Sequence, residues 1–259
     1  MALIGALIGA GSQGVQEEGD ALLAHFPPGT DLAAVSAAVF AADARAELEL
    51  GVSPAVDWSE AWKEQVRAHR LGALVVAPPW LSDEHDPAGT IVIDPGMAFG
   101  TGEHATTRGV VRLMQRVVRG GERVADLGTG SAVLAIAAAK LGAARVVAVE
   151  LDADAIENAE ANVERNGVGD RVVVLQGDAG LLLPLLAPVD VVLANIISSV
   201  LLQLLPAIAG ALAAGGRAIL SGILYEERDA MLVAIAAGGW RLVEEDSEEL
   251  WWSASIARP

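Results

Sequence analysis

The 259-residue sequence contains no cysteine, which excludes a disulfide framework, thiolate metal sites and a cysteine nucleophile. That absence suits a reducing compartment. Aromatic residues make up only 4% of the chain against 53% hydrophobic residues in all, so Ala, Val, Leu and Ile must fill the core. This is ample material for folding, and disorder is not expected. Basic residues are scarce too: 17 Lys plus Arg stand against 34 Asp plus Glu, a formal charge of -17. Direct binding to nucleic acid, which needs a basic surface, is thereby disfavoured. The acidic excess fits either simple solubility or attraction to a basic partner. No apolar run reaches the ~18 residues of a membrane span. The opening MALIGALIGAG is apolar but lacks the basic flank of a signal peptide. A cytoplasmic protein with no membrane segment is expected.

The first part of the chain is weakly patterned. Short apolar runs, Ala21 to Phe26 and Val35 to Ala42, are broken by Pro27, Pro28 and Gly29, which reads as a small α+β unit over 1–56. Over 57–72 the spacing predicts a linker helix, with Asp57 as N-cap, Trp58, Trp62, Val66 and His69 on one stripe, and Gly72 as the stop. The main domain is assigned to 73–259. From Gly121 onward, β-branched runs alternate with helical stretches: RVADLG, RVVAVEL, RVVVLQGDA, VDVVLAN and GGRAILSGIL are the strands. Such alternation means an α/β fold with a doubly wound, mostly parallel sheet. The ending differs. WRLVEED and LWWSASIAR are separated only by Ser247 to Glu249, too short for a parallel crossover, so they must pair as an antiparallel hairpin. A sheet closed in this way is that of the class I methyltransferases, whereas a nicotinamide-binding domain continues with parallel strands.

Several residues at strand ends can carry chemistry. Gly128 and Gly130 lie on the turn after the first strand, where glycine lets backbone approach a ligand and take positive φ. The turn fits an ordinary strand-to-helix connection, a dinucleotide fingerprint or an adenosylmethionine loop. Val133 stands where the dinucleotide fingerprint wants Gly or Ala, and Asp126 precedes the turn; both favour the last reading. Glu150, 22 residues after Gly128, ends the second strand and can accept from both hydroxyls of an adenosine ribose. Asp178 either accepts from an adenine amino group or is a plain loop acid. Asn195 ends the fourth strand, where a polar residue faces the ligand crevice and its amide oxygen can hold an amine substrate; the alternative is a turn residue. No Pro-Pro-Tyr follows it, which argues against enzymes that methylate exocyclic amines of DNA bases or glutamine amides. The stretch IDPGMAFGTGEHATT, Ile93 to Thr107, clusters three glycines with Met97, Phe99, hydroxyls and His104. It suits either a lid over a cofactor or a structural loop. His104 and Glu103 are too few for a metal site.

Together, DPGMAFGTGEHATT, DLGTGS, ANII and the SGIL at Ser221 to Leu224 resemble the ribosomal protein L-eleven methyltransferase (PrmA) family. The likeness runs from about Asp57 to the C-terminus, and weakly over the Gln13 to Pro27 region. It implies a class I methyltransferase domain joined by a linker to a small N-terminal domain that recognises the substrate. It implies S-adenosyl-L-methionine as cofactor and a basic ribosomal protein of the large subunit as partner, methylated on lysine ε-amines and an α-amine. Matching positions imply that Thr107, Gly128, Glu150 and Asn195 contact the cofactor, beside Gly130 and Asp178 from the strand-end reading; Asn195 is the catalytic residue expected from that reading. Three departures stand out: Glu150 replaces the usual Asp, Ala132 replaces a Gly and is expected to be tolerated, and the N-terminal domain is short. The remaining alternatives are a same-fold enzyme acting on another protein's lysines, a silent cofactor-binding module, and a nicotinamide-dependent oxidoreductase, which Val133 and the hairpin disfavour.

Overall fold

The computed structural model describes residues 2–19, 21–51, 66–94 and 102–258. The chain divides into two compact units, Met1–Ala61 and Trp62–Pro259. In the first, helix α1 (Ala2–Gly9) is followed by an antiparallel hairpin of β1 (Gly14–Glu18) and β2 (Ala21–His25), then helix α2 (Leu32–Ala42). Asp31 caps α2 by accepting from the N–H groups of Ala33 and Ala34, which satisfies donors that the helix itself leaves open. Leu7, Val35 and Val39 form its small core.

The second unit opens with a three-stranded sheet of β3 (His69–Leu71), β4 (Leu74–Ala77) and β5 (Thr90–Val92). This corrects the end of the linker helix expected over 57–72. Residues 52–65 lie outside the described residues, but His69–Leu71 is extended and pairs antiparallel with Leu74–Val76. Gly72 makes the turn between them, at φ +66°, so the pairing of a neighbouring strand overrides the local helical spacing.

The larger sheet has seven strands in the order β11-β12-β10-β9-β6-β7-β8. Strands β6 (Arg123–Leu127), β7 (Arg145–Glu150), β8 (Val172–Gln176), β9 (Val189–Asn195) and β10 (Leu212–Leu224) are parallel. β6 and β9 are buried along most of their length, with Val124, Ala125 and Leu127 and the run Val191–Ala194 apolar on both faces, as a doubly wound sheet requires. Strand β12 (Trp251–Ala257) runs antiparallel between β10 and β11 (Arg241–Glu248), giving the expected terminal hairpin. Its turn is tighter than the Ser247 to Glu249 linker read from sequence: Glu248 still pairs with Trp251, so Glu249 and Leu250 alone make the bend.

Helices α3 (Ala105–Val117), α4 (Val133–Lys140) and α5 (Ala153–Arg165) cover one face, and α6 (Ala179–Leu186), α7 (Ser198–Ala211) and α8 (Arg228–Ala237) the other. Val133 through Ala139 of α4 are all buried, and their small side chains let the helix lie close on the sheet. Arg108, Arg112 and Arg116 form a row on α3 that pairs with Glu248, Asp246 and Glu244 of the edge strand β11. The chain order reverses between β6 and β9, which opens a crevice at their carboxyl ends, where ligands of such sheets bind.

Candidate functional site

The glycine turn begins where β6 ends. Gly128, Gly130 and Ala132 all take positive φ, at 67°, 55° and 65°. The N–H groups of Gly128 and Thr129 donate to the Val149 carbonyl, which ties the turn to β7. A side chain on Gly128 would meet Ile196 at 3.0 Å. The turns after β6 and β9 therefore approach closely, and a methyl group on Gly128 would require the Ile196 side chain to give way.

Ala132 is a residue with a Cβ in a left-handed conformation, fully buried. Sequence reading flagged the extra methyl but not this backbone cost. The left-handed form costs about 1–2 kcal/mol for an L-residue. A glycine would relieve that but lose a buried methyl worth about 0.8 kcal/mol and gain about 0.5–1 kcal/mol of unfolded-state freedom. Ala132→Gly is therefore expected to change stability by less than ~1 kcal/mol in denaturant melts, because the opposing effects nearly cancel. A loss or gain of ~2 kcal/mol would contradict this account.

Asp126, on β6 just before the turn, has no exposed surface. The Thr129 hydroxyl donates to its Oδ2 at 2.5 Å, while Oδ1 has no partner. Burial pushes its pKa from 3.8 up to about 7, against the hydrogen bond from Thr129, with the charge of Glu150 adding to the rise.

Glu150 ends β7. Its Oε2 accepts from Gly130 N–H at 2.8 Å, and its Oε1 accepts from the N–H groups of Leu151 at 2.8 Å and Asp152 at 3.0 Å. The carboxylate thus links the glycine turn to the start of α5, where Asp152 is the N-cap. Asp178 follows β8 and caps α6, its Oδ1 accepting from Leu181 N–H at 3.1 Å. Asp178 is thus a helix cap, with its second carboxylate oxygen making no hydrogen bond among the described residues.

Asn195 is the last residue of β9, half-buried, and its side-chain amide makes no hydrogen bond among the described residues. Thr107 lies in the first turn of α3, buried, with its Oγ1 unpartnered among the described residues. His104 caps the same helix and stacks edge-on with Trp251, ring centroids 4.9 Å apart. Ser221 of β10 hydrogen-bonds the Thr106 carbonyl at 3.2 Å and Ser253 at 2.7 Å, fixing the N-terminus of α3 against the sheet. The proposed lid, 93–107, is described only at Ile93, Asp94 and from Gly102 on; the rest lies outside the described residues. Among the described residues no three His, Asp or Glu converge as a metal site.

The structure therefore brings Gly128, Gly130, Glu150 and Asn195 to one crevice, with Asp178 on the loop after β8 and Thr107 at the head of α3. Surface hollows elsewhere, one beside Glu160 and Val172–Val174 and one between Arg123 and Arg145 at the amino ends of β6 and β7, do not coincide with it. Sequence reading missed the burial of Asp126 and two asparagines, Asn162 within α5 and Asn166 at its C-cap, that bond to backbone outside the helix. For Asn162 the signal was there: Asn in a helix interior is costly unless its amide is used.

Among the described residues, the buried Thr107 hydroxyl and one buried Asp126 carboxylate oxygen have no hydrogen-bond partner, and the half-buried Asn195 amide makes no hydrogen bond, which leaves capacity for a polar ligand. Buried groups of this kind are normally satisfied, so a polar, adenosine-bearing cofactor fits the residues present.

Residues 11–259 match the family model for ribosomal protein L11 methyltransferase (PrmA). The chain is 46% identical to the ribosomal protein L11 methyltransferase of Pelotomaculum thermopropionicum, over 85% of this chain and 71% of that protein. It is 42% identical to that of Exiguobacterium sp., over 75% of this chain and 62% of the relative. Matched stretches thus span about two thirds of these relatives' length. The crystal structure of the ribosomal protein L11 methylase of Lactobacillus delbrueckii subsp. bulgaricus superposes with a TM-score of 0.67 at 31% identity, covering 74% of this chain and 99% of that one. The sheet order, the terminal hairpin and these matches agree: the chain belongs to the ribosomal protein L11 methyltransferase (PrmA) family.

Proposed function

We propose that the chain is an S-adenosyl-L-methionine-dependent methyltransferase that modifies amines of a basic ribosomal protein of the large subunit, chiefly lysine ε-amines. The observation that carries this reading is the unpartnered amide of Asn195 across the crevice from a turn held by Glu150. Gly128 and Gly130 would admit the cofactor's backbone-contacting face, Thr107 Oγ1 would supply a hydrogen bond from the head of α3, and Asp178 would accept from the adenine amino group with its spare oxygen. When bound, the cofactor supplies an activated methyl group on a sulfonium.

Glu150 would accept from the ribose. A carboxylate offers about four lone pairs, and three already receive N–H groups from Gly130, Leu151 and Asp152. One remains on Oε2. Accepting both ribose hydroxyls therefore requires one amide on Oε1 to yield, a consequence of the longer Glu reaching back to the turn.

The acceptor must be a neutral amine. A lysine of pKa ~10.4 is almost wholly protonated at pH 7, and deprotonating it costs roughly 4–5 kcal/mol. A dry crevice beside a positive charge lowers that cost. Asn195 Oδ1 would accept an N–H of the amine and turn its lone pair toward the methyl group, and the displaced proton leaves to water. No described carboxylate or imidazole is needed as base. Exposed Ile197, Tyr225 and Leu250 border this end of the sheet, with Glu226 and Glu249 among them. That mixture of apolar and acidic groups suits the flanks of a lysine in a basic protein, and such a substrate places the enzyme in the cytoplasm.

Asn195→Ala is expected to lower the single-turnover methylation rate about 100-fold at saturating cofactor, a loss of orientation rather than of binding. Calorimetry should still show cofactor binding within a few-fold of the unaltered chain. An unchanged single-turnover rate would remove the role given to Asn195.

A further inference from the structure

Asn162 lies in α5 with no exposed surface. Its amide is used at both ends. Nδ2 donates to the Ser131 carbonyl at 3.1 Å and to Asn158 Oδ1 at 3.2 Å. Oδ1 accepts from the Asp94 N–H at 3.1 Å and from the Arg165 guanidinium at 2.6 Å. Ser131 belongs to the glycine turn, and Asp94 follows β5. One side chain therefore joins the backbone of two segments 37 positions apart.

The C-cap residue of the same helix supplies the contrast. Asn166 grips Val92 with both ends of its amide, Oδ1 accepting the N–H at 2.8 Å and Nδ2 donating to the carbonyl at 2.7 Å. It anchors β5 as firmly, yet it makes no bond to the glycine turn. An asparagine in a helix interior is a poor helix former, and a buried amide is costly unless all its bonds are made. For packing alone a leucine at 162 would serve. What the amide adds is a fixed position for Ser131, between Gly130 and Ala132, whose left-handed backbone has little freedom to shift without losing the Glu150 bond.

We infer that Asn162 is a positioning residue for the cofactor site, holding the Ser131 carbonyl so that the glycine turn keeps its binding shape, and coupling that turn to Asp94. The inference rests on the reading that this turn receives S-adenosyl-L-methionine.

Asn162→Asp separates the two halves of the interaction. It retains an acceptor for Asp94 N–H and Arg165 but loses the donor to Ser131 and sets a carboxylate oxygen against that carbonyl. The dissociation constant for S-adenosylmethionine, measured by calorimetry, should rise about tenfold, and KM for the cofactor should rise with it while kcat at saturation stays within about twofold. Asn166→Ala should lower the melting temperature but leave the dissociation constant within about twofold. A folded Asn162→Asp variant with unaltered affinity overturns the inference, as does an Asn166→Ala variant that weakens binding equally. Should Asn162→Asp fail to fold, hydrogen exchange on the unaltered chain decides. Added cofactor should slow exchange at the amides of both Gly130 and Asp94, and protection of Gly130 alone overturns the coupling. An unaltered chain that does not bind the cofactor takes down the cofactor reading itself, a different result from any of these.

Discussion

Gly222→Ala is expected to destabilise the protein by about 3 kcal/mol or more, a larger loss than most single substitutions cause. Gly222 sits in β10 at φ +80°, where a Cβ would lie 2.6 Å from the Ile196 carbonyl oxygen, 2.8 Å from its carbon and 3.0 Å from its nitrogen. These are backbone atoms, so no side-chain rotation relieves the contact. The left-handed conformation adds about 1–2 kcal/mol, and forcing two backbones apart about 1–3 kcal/mol. The pairing of β10 with β12 already shifts register between Leu220 and Ile223, and the Ile196 N–H donates to the Ser221 carbonyl at 3.1 Å. The glycine thus lets β10 press against the turn that follows Asn195. Any folded fraction of the variant should also lose methyl transfer, because that turn has to move. Chemical denaturation measures the first effect, and a loss under ~1 kcal/mol would contradict it.

The second large effect is a pH dependence carried by Asp126. Its folded pKa is pushed up to about 7 from 3.8 because the side chain is fully buried. Below pH ~4 the group is protonated in folded and unfolded chains alike and costs nothing. Between about pH 4 and pH 7 the unfolded chain ionises while the folded chain resists, so stability falls as pH rises through that window and levels off above it. Three units correspond to at most about 4 kcal/mol. Asp126→Asn removes the titration. Relative to the unaltered chain, it should gain stability steadily from about pH 4 to pH 7 and hold a constant difference above. A difference that does not change with pH would show that Asp126 ionises freely in the fold.

Both predictions concern features that local pattern does not display. The strands from Val124 to Asn195 were legible because residues buried on both faces of a parallel sheet must be apolar in nearly every position. The terminal hairpin was legible because chain length between its strands allows no other pairing. Glu150 and Asn195 were legible as polar ends of apolar runs. By contrast, His69–Leu71 reads as the tail of a helix until Leu74–Ala77 is seen to pair with it, which is a tertiary fact. The burial of Asp126, the left-handed backbone of Ala132 and the reach of Asn162 to Ser131 and Asp94 depend equally on what lies across the fold. An asparagine on a helix that also carries Glu157, Glu160 and Glu164 looks solvent-facing in sequence; here it has no exposed surface at all.

The family match spans residues 11–259, so it includes both the motif from Asp94 to Thr107 and the glycine turn on which the resemblance rested. The turn alone marks an adenosine-binding α/β domain. The hairpin makes the sheet that of a methyltransferase, and the family match directs attention to a ribosomal protein with accessible lysines. An acidic chain of formal charge -17 would draw such a basic partner by long-range attraction, a steering that weakens as salt is raised.

The most direct test combines the purified protein, methyl-labelled S-adenosylmethionine and a full set of large-subunit ribosomal proteins, followed by mass spectrometry of whichever becomes labelled. The account predicts label on amines of one basic ribosomal protein, with lysine side chains carrying most of it. Cofactor binding without transfer to any of these proteins would contradict it.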